Sequence, residues 1–324
     1  MTNGAPDEFE WIASLRPLTK GDPAALALLD DAAVLPSRPG FDLVISKDAL
    51  VEGVHVLPGE APDIIARRLL RTSLSDLAAK AAEPYGYFLM IAWPADRDRA
   101  YRDRFAAGLA HDGEAFGVIL LGGDTVSTVG PLVVSATVLG WTPSGRTVLR
   151  SGARAGDRLL VCGPIGDGWL GLEAALGRLD DPLGALVDHY QLPLPLFRLR
   201  EALMRYAHAA ADVSDGLLAD AGHIAEASGL GLTVQLDRLP LSASGRQWCA
   251  GQPDRIAALA ALASAGDDYA IVCAVDAAEE DAFLAAVAAL GIPAAAAGRF
   301  DTSPGLRIAV GDQAVGAHRL GWRH

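Results

Sequence analysis

The chain has 324 residues, of which 51% are hydrophobic, and its mean hydropathy is +0.25. This length suits two domains, and no run approaches the ~18 consecutive apolar residues that a membrane-spanning helix needs. The net charge of −13 opposes contact with a phosphate backbone, which excludes general nucleic-acid binding and favours the binding of cations.

Sequence patterns in the first half predict three helices and five strands. Pro62-Asp63 marks a helix start, and the strand that ends near Leu121 is followed by Gly122-Gly123. Thr142 to Gly145 breaks the pattern, so we expect domains at 1–145 and 146–324. The predicted helices are 9–18, 62–82 and 98–112, and the predicted strands are 32–35, 41–46, 87–93, 116–121 and 132–139.

The second half mixes short apolar runs with helical periodicity. A glycine-rich segment, 163–168, follows the first of these runs. There is no strict strand-helix-strand repeat, so the fold class we expect is mixed α/β or α+β in two domains. The predicted strands are 158–162, 232–236 and 269–275, and the predicted helices are 214–227, 277–290 and one that follows 163–168.

The cysteines and the first residues indicate a cytoplasmic protein without disulfides. Cys162, Cys249 and Cys273 are odd in number and lack a Cys-x-x-Cys motif, which argues against a disulfide framework or a thiolate metal site. Residues 1–8 lack the basic start and apolar core of a secretory signal. We therefore expect core thiols and a cytoplasmic location.

Aspartates recur at the ends of apolar runs. Mg²⁺ prefers oxygen ligands and is usually held by one or two carboxylates together with substrate phosphates. Such a set of acids therefore predicts a magnesium site for phosphorylated ligands. The segments are Asp30-Asp31, Ser46-Lys47-Asp48, Ser75-Asp76, Gly122-Gly123-Asp124 and Asp212-Val213-Ser214-Asp215-Gly216.

The sequence has no lysine-based phosphate loop. Its three lysines are Lys20, Lys47 and Lys80, and none follows a glycine and precedes Ser or Thr. If the chain uses ATP, metal ions and arginine must neutralise the phosphates.

Several of these residues also have an ordinary structural interpretation. Asp30-Asp31 is compatible with a solvated turn, and Gly122-Gly123 with a tight turn as well as with close approach to an anion. Ser214-Asp215 suits a helix N-cap, although a helix N-terminus also offers amides to a phosphate. Asp76 lies in an apolar helix, where a carboxylate either points outward or needs a partner or a metal.

Two further residues have the same ambiguity. His55 alternates with apolar neighbours and is compatible with a structural histidine. Trp322 is compatible with a packing anchor near the C-terminus.

Taken together, these segments resemble the thiamine-monophosphate kinase family, in the superfamily of aminoimidazole ribonucleotide synthetase and selenophosphate synthetase. The matching segments occur in the family's order and span residues 30 to 322. Each segment is weak alone, whereas seven in order are specific. They are Asp30 to Leu35, Ser46 to His55, Leu74 to Ala79, Gly122 to Thr125, Arg150 to Gly152, Asp212 to Leu217 and Gly266 to Tyr269.

The resemblance implies an N-terminal αβ domain whose sheet pairs across a homodimer and a C-terminal α/β domain that closes over ATP. It also implies phosphorylation of thiamine monophosphate to thiamine diphosphate, with ATP as co-substrate and several Mg²⁺ ions. Direct in-line transfer suits this reaction, because positioning and charge neutralisation suffice without a protein nucleophile.

The resemblance also implies roles for individual residues. The metal ligands are Asp30, Asp31, Ser46, Lys47 through its backbone, Asp48, Asp76, Asp124, Asp212 and Asp215. The nucleotide contacts are Gly122, Gly123, Asp124, Arg150 and Ser214, and the substrate contacts are His55, Asp267 and Trp322. The residues expected to act in catalysis are Asp76, Asp124, Arg150 and Asp215.

The chain departs from the family pattern at four positions. Leu29 replaces a glycine, Lys47 a threonine and Asp267 a glutamate, while Ser127 stands where some relatives carry arginine. Two alternatives therefore stay open. One is another activity of the superfamily, such as selenophosphate synthesis, which calls for a reactive cysteine near the N-terminus. The other is an inactive nucleotide or metal sensor.

Overall fold

The computed structural model describes residues 8–316 and 320–321. Over this part of the chain, none of the helices combines the length and the apolar character required to cross a membrane. The chain divides into two compact units, the first of Met1–Leu77 with Ala82–Gly145 and the second of Ala78–Ala81 with Arg146–His324. The mixed helices and sheets agree with the expected fold class.

The first unit is built on a four-stranded sheet in the order β1-β4-β2-β3. β2 and β3 are parallel, while β4 is antiparallel to both β1 and β2. The strands are β1 (Phe41–Val51), β2 (Glu83–Pro94), β3 (Ile119–Thr128) and β4 (Val133–Pro143), and the helices are α1 (Glu8–Ser14), α2 (Pro62–Ala79) and α3 (Arg99–Phe116).

Helix α2 covers one face of this sheet. Its apolar residues Leu69, Leu70, Leu74 and Leu77 are fully buried. A Cβ on Gly140 of β4 would lie 3.2 Å from Leu77, which leaves no room for a larger side chain between helix and strand. Burial of such side chains stabilises the unit by about 1.5–3 kcal/mol each.

Two predictions for the first unit are wrong. Residues 32–35 form no strand and follow bends at residues 30–32. The left-handed backbone of Leu26, Ala27 and Leu28, with φ of 47°, 54° and 55°, turns the chain immediately before this segment. In addition, β3 does not end before Gly122 but continues to Thr128.

The second unit contains a seven-stranded mixed sheet in the order β11-β10-β7-β9-β5-β8-β6. Its strands are β5 (Arg158–Cys162), β6 (Ala207–Asp212), β7 (Gly231–Gln235), β8 (Ile271–Val275), β9 (Ala294–Asp301), β10 (Gly305–Val310) and β11 (Gln313–Val315). Its helices are α4 (Asp167–Ala175), α5 (Ala185–Gln191), α6 (Arg200–Tyr206), α7 (Leu217–Ala227), α8 (Ala243–Ala250), α9 (Arg255–Ser264) and α10 (Glu280–Ala288).

The central strands of this sheet are buried on both faces. Every residue of β8 is buried, as are Leu159 to Cys162 of β5. The thiols of Cys162 and Cys273 are both within this core, and Cys249 is buried on α8. The predicted helix 214–227 begins at Leu217 instead, since Gly216 has a positive-φ conformation, with φ 129° and ψ 146°, that is not helical.

Candidate functional site

Ser46, Asp48 and Asp76 form an acidic patch in the first unit. Ser46 and Asp48 are two residues apart on β1 and therefore point to the same face of the sheet, towards α2. The hydroxyl of Ser46 donates to Oδ2 of Asp76 at 2.5 Å. Burial, and after it the charge of Asp76, raise the pKa of Asp48 to about 6, although a hydrogen bond with Ser73 opposes the rise. The patch thus carries negative charge that a cation would stabilise.

A cavity of about 650 Å³ in the same unit has a mostly apolar lining that also includes charged residues. Asp30, Asp31 and Asp124 line it together with Lys47. The ammonium of Lys47 donates to Ser135 Oγ at 2.8 Å, and that hydroxyl donates to the carbonyl of Asp48 at 2.7 Å. The volume lies in the range of small-molecule pockets.

The acidic patch and the cavity lie on opposite faces of the four-stranded sheet. Asp48 is aligned with Ala136, which is aligned with Leu89 and then Gly123. Asp124 follows Gly123, so its side chain points to the other face, as that of Lys47 does. The expected acids of the first unit therefore form two groups.

The donor chemistry of both groups fits magnesium, because carboxylates and a hydroxyl are oxygen ligands. Within the described residues, no group of three or more His, Cys, Asp or Glu side chains is arranged to hold a metal ion. The assignment of individual ligands stays a prediction.

Gly122 and Gly123 lie inside β3 and not in a tight turn, and their contact with the nucleotide stays a prediction. Gly123 pairs with Leu89 of β2, and a Cβ at Gly123 would lie within 1.9 Å of the Leu89 carbonyl oxygen. Its lack of a side chain therefore permits close approach of the two strands. Both glycines still line the cavity, next to Asp124.

His55 lies in a tight turn after β1. Its Nδ1 accepts a hydrogen bond from the backbone N–H of Val51 at 3.1 Å. Glu52 holds the same turn, since its carboxylate contacts Arg97 at 2.8 Å and accepts from the N–H of Gly59 at 3.1 Å. The local structural role of His55 is therefore observed, and its contact with substrate stays a prediction.

In the second unit, the segment from Asp212 to Gly216 follows β6. The backbone N–H groups of Ser214, Asp215 and Gly216 donate to Oδ2 of Asp220 at 3.1, 3.1 and 3.2 Å. Ser214 is therefore not the N-cap of α7, and these three amides are not directed at a phosphate. Ser214 and Asp215 are partly exposed, between the buried residues Val213 and Gly216.

The charges around Asp220 are interdependent. Burial, and after it the neighbouring carboxylate of Asp215, raise the pKa of Asp220 to about 6. The amides of Asp215 and Gly216 and the positive charge of Arg150 oppose it. Arg150 and Asp215, both expected site residues, therefore share one electrostatic environment with Asp220.

Asp267 lies beside a second buried carboxylate. It has a left-handed backbone, with φ of 70°, and its Oδ1 accepts from the hydroxyl of Tyr269 at 3.2 Å. Asp268 is 2% exposed, and its carboxylate accepts from the N–H groups of Gly166 and Gly168. Burial raises the pKa of Asp268 well above its usual range, against the hydrogen bonds of Gly166 and Gly168. Trp322 lies outside the described residues.

Three polar residues near the expected site were not predicted from sequence. They are Ser135, Asp220 and Asp268. Asp220 had a detectable signal, because it lies on the same helix face as Leu217 and Ile224, where an unpaired carboxylate is costly.

Comparison with known proteins identifies the family. The two family profiles described as AIR synthase related protein, N-terminal domain and C-terminal domain, match residues 29–142 and 154–311. A thiamine-monophosphate kinase of Caulobacter vibrioides is 58% identical over 320 residues, which covers 98% of this chain and 91% of that relative. The chain belongs to the thiamine-monophosphate kinase family.

Solved structures of this kinase family have the same fold. The thiamine-monophosphate kinase of Stenotrophomonas maltophilia has a TM-score of 0.82 and 32% identity, covering 93% of this chain and 96% of that one. AaThiL complexed with AMPPCP and TMP has a TM-score of 0.77 and 27% identity, covering 98% and 96% respectively. By family, this chain is an enzyme of the kinase class.

Proposed function

We propose that this chain phosphorylates thiamine monophosphate to thiamine diphosphate with ATP as phosphoryl donor. The observation that carries the proposal is the 58% identity to the C. vibrioides kinase across 98% of this chain. The same pair of substrates suits the fold shared with AaThiL complexed with AMPPCP and TMP.

The first unit would supply most of the magnesium ligands. Bound magnesium would neutralise the phosphates of both substrates and so permit their close approach. The hydroxyl of Ser46 donates a hydrogen bond to one oxygen of Asp76. Asp48 is close enough to that carboxylate for its charge to raise the pKa of Asp48. The proposed ligands are Asp30, Asp31, Ser46, the backbone of Lys47, Asp48, Asp76, Asp124, Asp212 and Asp215.

In the proposed reaction, an oxygen of the substrate's phosphate forms a bond to the γ-phosphorus of ATP. The bond from that phosphorus to the β–γ bridging oxygen breaks, and ADP leaves. No protein nucleophile is needed, so the residues act by positioning and by charge. Arg150 either stabilises the transferred group or binds the nucleotide, near Asp215 in both cases.

Asp267 and His55 would contact the thiamine part of the substrate, together with Trp322. A carboxylate suits the cationic thiazolium, and the turn from Val51 to His55 is held by the Glu52–Arg97 ion pair. Asp267 has a shorter side chain than the glutamate of the family pattern, and its Oδ1 accepts a hydrogen bond from the hydroxyl of Tyr269.

We also propose that the first unit forms a homodimer through its sheet. Within the described residues, β1 pairs only with β4 and β3 only with β2, so both edges of the sheet are long and unpaired. Ile45 on β1 and Val126 on β3 are 58% and 43% exposed. Long apolar edges favour pairing with another chain. Light scattering at the mass of a monomer, at assay concentration, would contradict this proposal.

An ADP-release assay with three acceptors tests the activity. We expect magnesium-dependent ADP release with thiamine monophosphate and little with thiamine or selenide. Release with selenide would favour selenophosphate synthesis, which the burial of the first cysteine, Cys162, already opposes. Nucleotide binding without ADP release with any of these acceptors would favour the sensor.

A further inference from the structure

The loop of Asp212 to Gly216 is shaped by a carboxylate that lies behind it. Asp220 belongs to the first turn of α7 and is 1% exposed. One of its oxygens accepts hydrogen bonds from three consecutive backbone amides, those of Ser214, Asp215 and Gly216. Charge-assisted bonds of this kind are among the stronger hydrogen bonds in proteins.

This arrangement differs from an ordinary helix cap. Asp254, which caps α9, accepts from Ile256 and Ala257, amides that lie inside the helix it precedes. Asp220 instead reaches backwards and binds amides that precede its own helix. Its hydrogen bonds therefore fix the conformation of the loop and add little to the helix itself.

A neighbouring loop, Gly266 to Tyr269, also contains a buried carboxylate that accepts backbone amides, and this loop contacts the first one. Asp268 accepts from the amides of Gly166 and Gly168 at 2.8 and 3.0 Å. The N–H of Asp267 donates to the carbonyl of Ser214 at 2.9 Å, and that of Tyr269 donates to the carbonyl of Val213 at 2.8 Å.

The segments that meet here lie too close together for a side chain at Gly266 or at Gly168. A Cβ at Gly266 would lie 2.4 Å from the carbonyl oxygen of Ser214. A Cβ at Gly168 would lie 2.2 Å from the carbonyl oxygen of Asp267. A shift of the Ser214 loop would therefore move the loop that carries Asp267.

We propose that Asp220 is a positioning residue, which fixes Ser214 and Asp215 for the magnesium-bound nucleotide without contacting substrate itself. Its carboxylate accepts hydrogen bonds from three amides, which therefore point inward, while Ser214 and Asp215 stay partly exposed. The inference rests on the proposed function and names the residue that orders this part of the site.

Asp220→Ala and the isosteric Asp220→Asn test this role, with Asp181→Ala as the matched control. Asp181 also accepts two backbone amides in the second unit, those of Leu186 and Val187 at 2.9 and 3.0 Å, but at α5. We expect the Asp220 variants to bind magnesium with a non-hydrolysable ATP analogue about 10- to 100-fold more weakly in calorimetry, as is typical when supporting hydrogen bonds are lost. The control should bind as the wild type does.

Hydrogen exchange of the metal-free proteins provides a readout that does not depend on activity. We expect amides 213–216 to exchange faster in the Asp220 variants, with no change there in Asp181→Ala. If the Asp220 variants lower Tm as the control does but keep wild-type analogue affinity and exchange, Asp220 is only structural and the inference is wrong. If Asp220→Ala does not fold, the same comparison is made with Asp220→Asn.

The two proposals fail in different ways. A wild-type chain that does not phosphorylate thiamine monophosphate contradicts the proposed function. The exchange comparison between wild type and the Asp220 variants decides the positioning role in that case as well, because it uses metal-free protein.

Discussion

The carboxylates of the two units differ in what surrounds them. In the first unit, Asp48 lies next to another carboxylate, Asp76, whose observed partner is the hydroxyl of Ser46. In the second unit, Asp220 and Asp268 also lie near other carboxylates, but each accepts hydrogen bonds from backbone amides. The first arrangement gathers negative charge and favours cation binding, whereas the second uses carboxylates to shape loops.

This difference separates two kinds of functional acid. A carboxylate held by several amides is part of the backbone architecture, and its replacement should act through the loop. A carboxylate placed beside another one is destabilising without a cation, so its replacement should remove function while the fold survives. The following variants test this distinction.

The largest expected effect is that of Asp76→Asn. The amide keeps the volume but removes the charge that magnesium requires, so we expect turnover to be abolished with the fold intact. An activity assay of the purified variant measures turnover, and its Tm shows whether the fold is intact. Asp63→Asn is the matched control, because Asp63 lies in the same helix and pairs with Arg104 at 2.8 Å. Asp76→Asn activity above about a tenth of wild type, within ~1.4 kcal/mol in activation free energy, would exclude Asp76 from the metal site.

Asp112 sharpens the comparison, because it is a first-unit carboxylate with complete partners. It is fully buried and contacts Arg67 at 3.2 Å and Arg71 at 2.6 Å. Asp112→Ala removes the carboxylate that pairs with Arg67 and Arg71, so we expect the free energy of unfolding in urea to fall by about 3 kcal/mol.

The pH dependence of that loss follows from the pKa. Burial raises the pKa of Asp112, but the hydrogen bonds and charges of Arg71, His111 and Arg67 lower it below 3.8 overall. The carboxylate therefore contributes stability above the unfolded-state pKa, and this contribution disappears as pH falls through the folded-state value. A wild-type to Asp112→Ala difference that grows below pH 4 would contradict the assignment.

Asp48→Asn should raise the free energy of unfolding, whereas Asp112→Ala should lower it. The pKa of Asp48 is raised to about 6, so its ionised form destabilises the metal-free fold above that pH. In urea with EDTA at pH 8, we expect Asp48→Asn to be more stable than wild type by on the order of 2 kcal/mol. The gain should shrink as pH falls from 6 towards 4. A variant that is less stable than wild type at pH 8 would show that Asp48 is a structural acid.

Local sequence signals predicted much of the fold. β5 has its predicted bounds, Arg158–Cys162, because a bounded apolar run indicates a buried strand. The helical position of Asp76 also followed from the spacing of Leu69, Leu70 and Leu74. The strands β6 and β9 were missed, since alanine-rich segments have weak strand propensity and form strands here through pairing with β8 and β5.

One error at the site comes from a contact between distant segments, and the other from a contact between residues six positions apart. In sequence, Gly122-Gly123 resembles the end of a strand, but Leu89 packs against Gly123 and the strand continues. In sequence, Ser214 resembles an N-cap, but in the structure its amide donates a hydrogen bond to the side chain of Asp220. Such contacts depend on tertiary structure, so local pattern alone does not reveal them.

The central claim is transfer of the terminal phosphoryl group of ATP to thiamine monophosphate. Incubation with ATP labelled at the γ-phosphate, thiamine monophosphate and magnesium tests it directly, with separation of products by chromatography. We predict label in thiamine diphosphate in a one-to-one ratio with ADP, and none with Asp76→Asn. Label recovered only as inorganic phosphate, or retained in ATP, would contradict the assignment of this chain as a thiamine-monophosphate kinase.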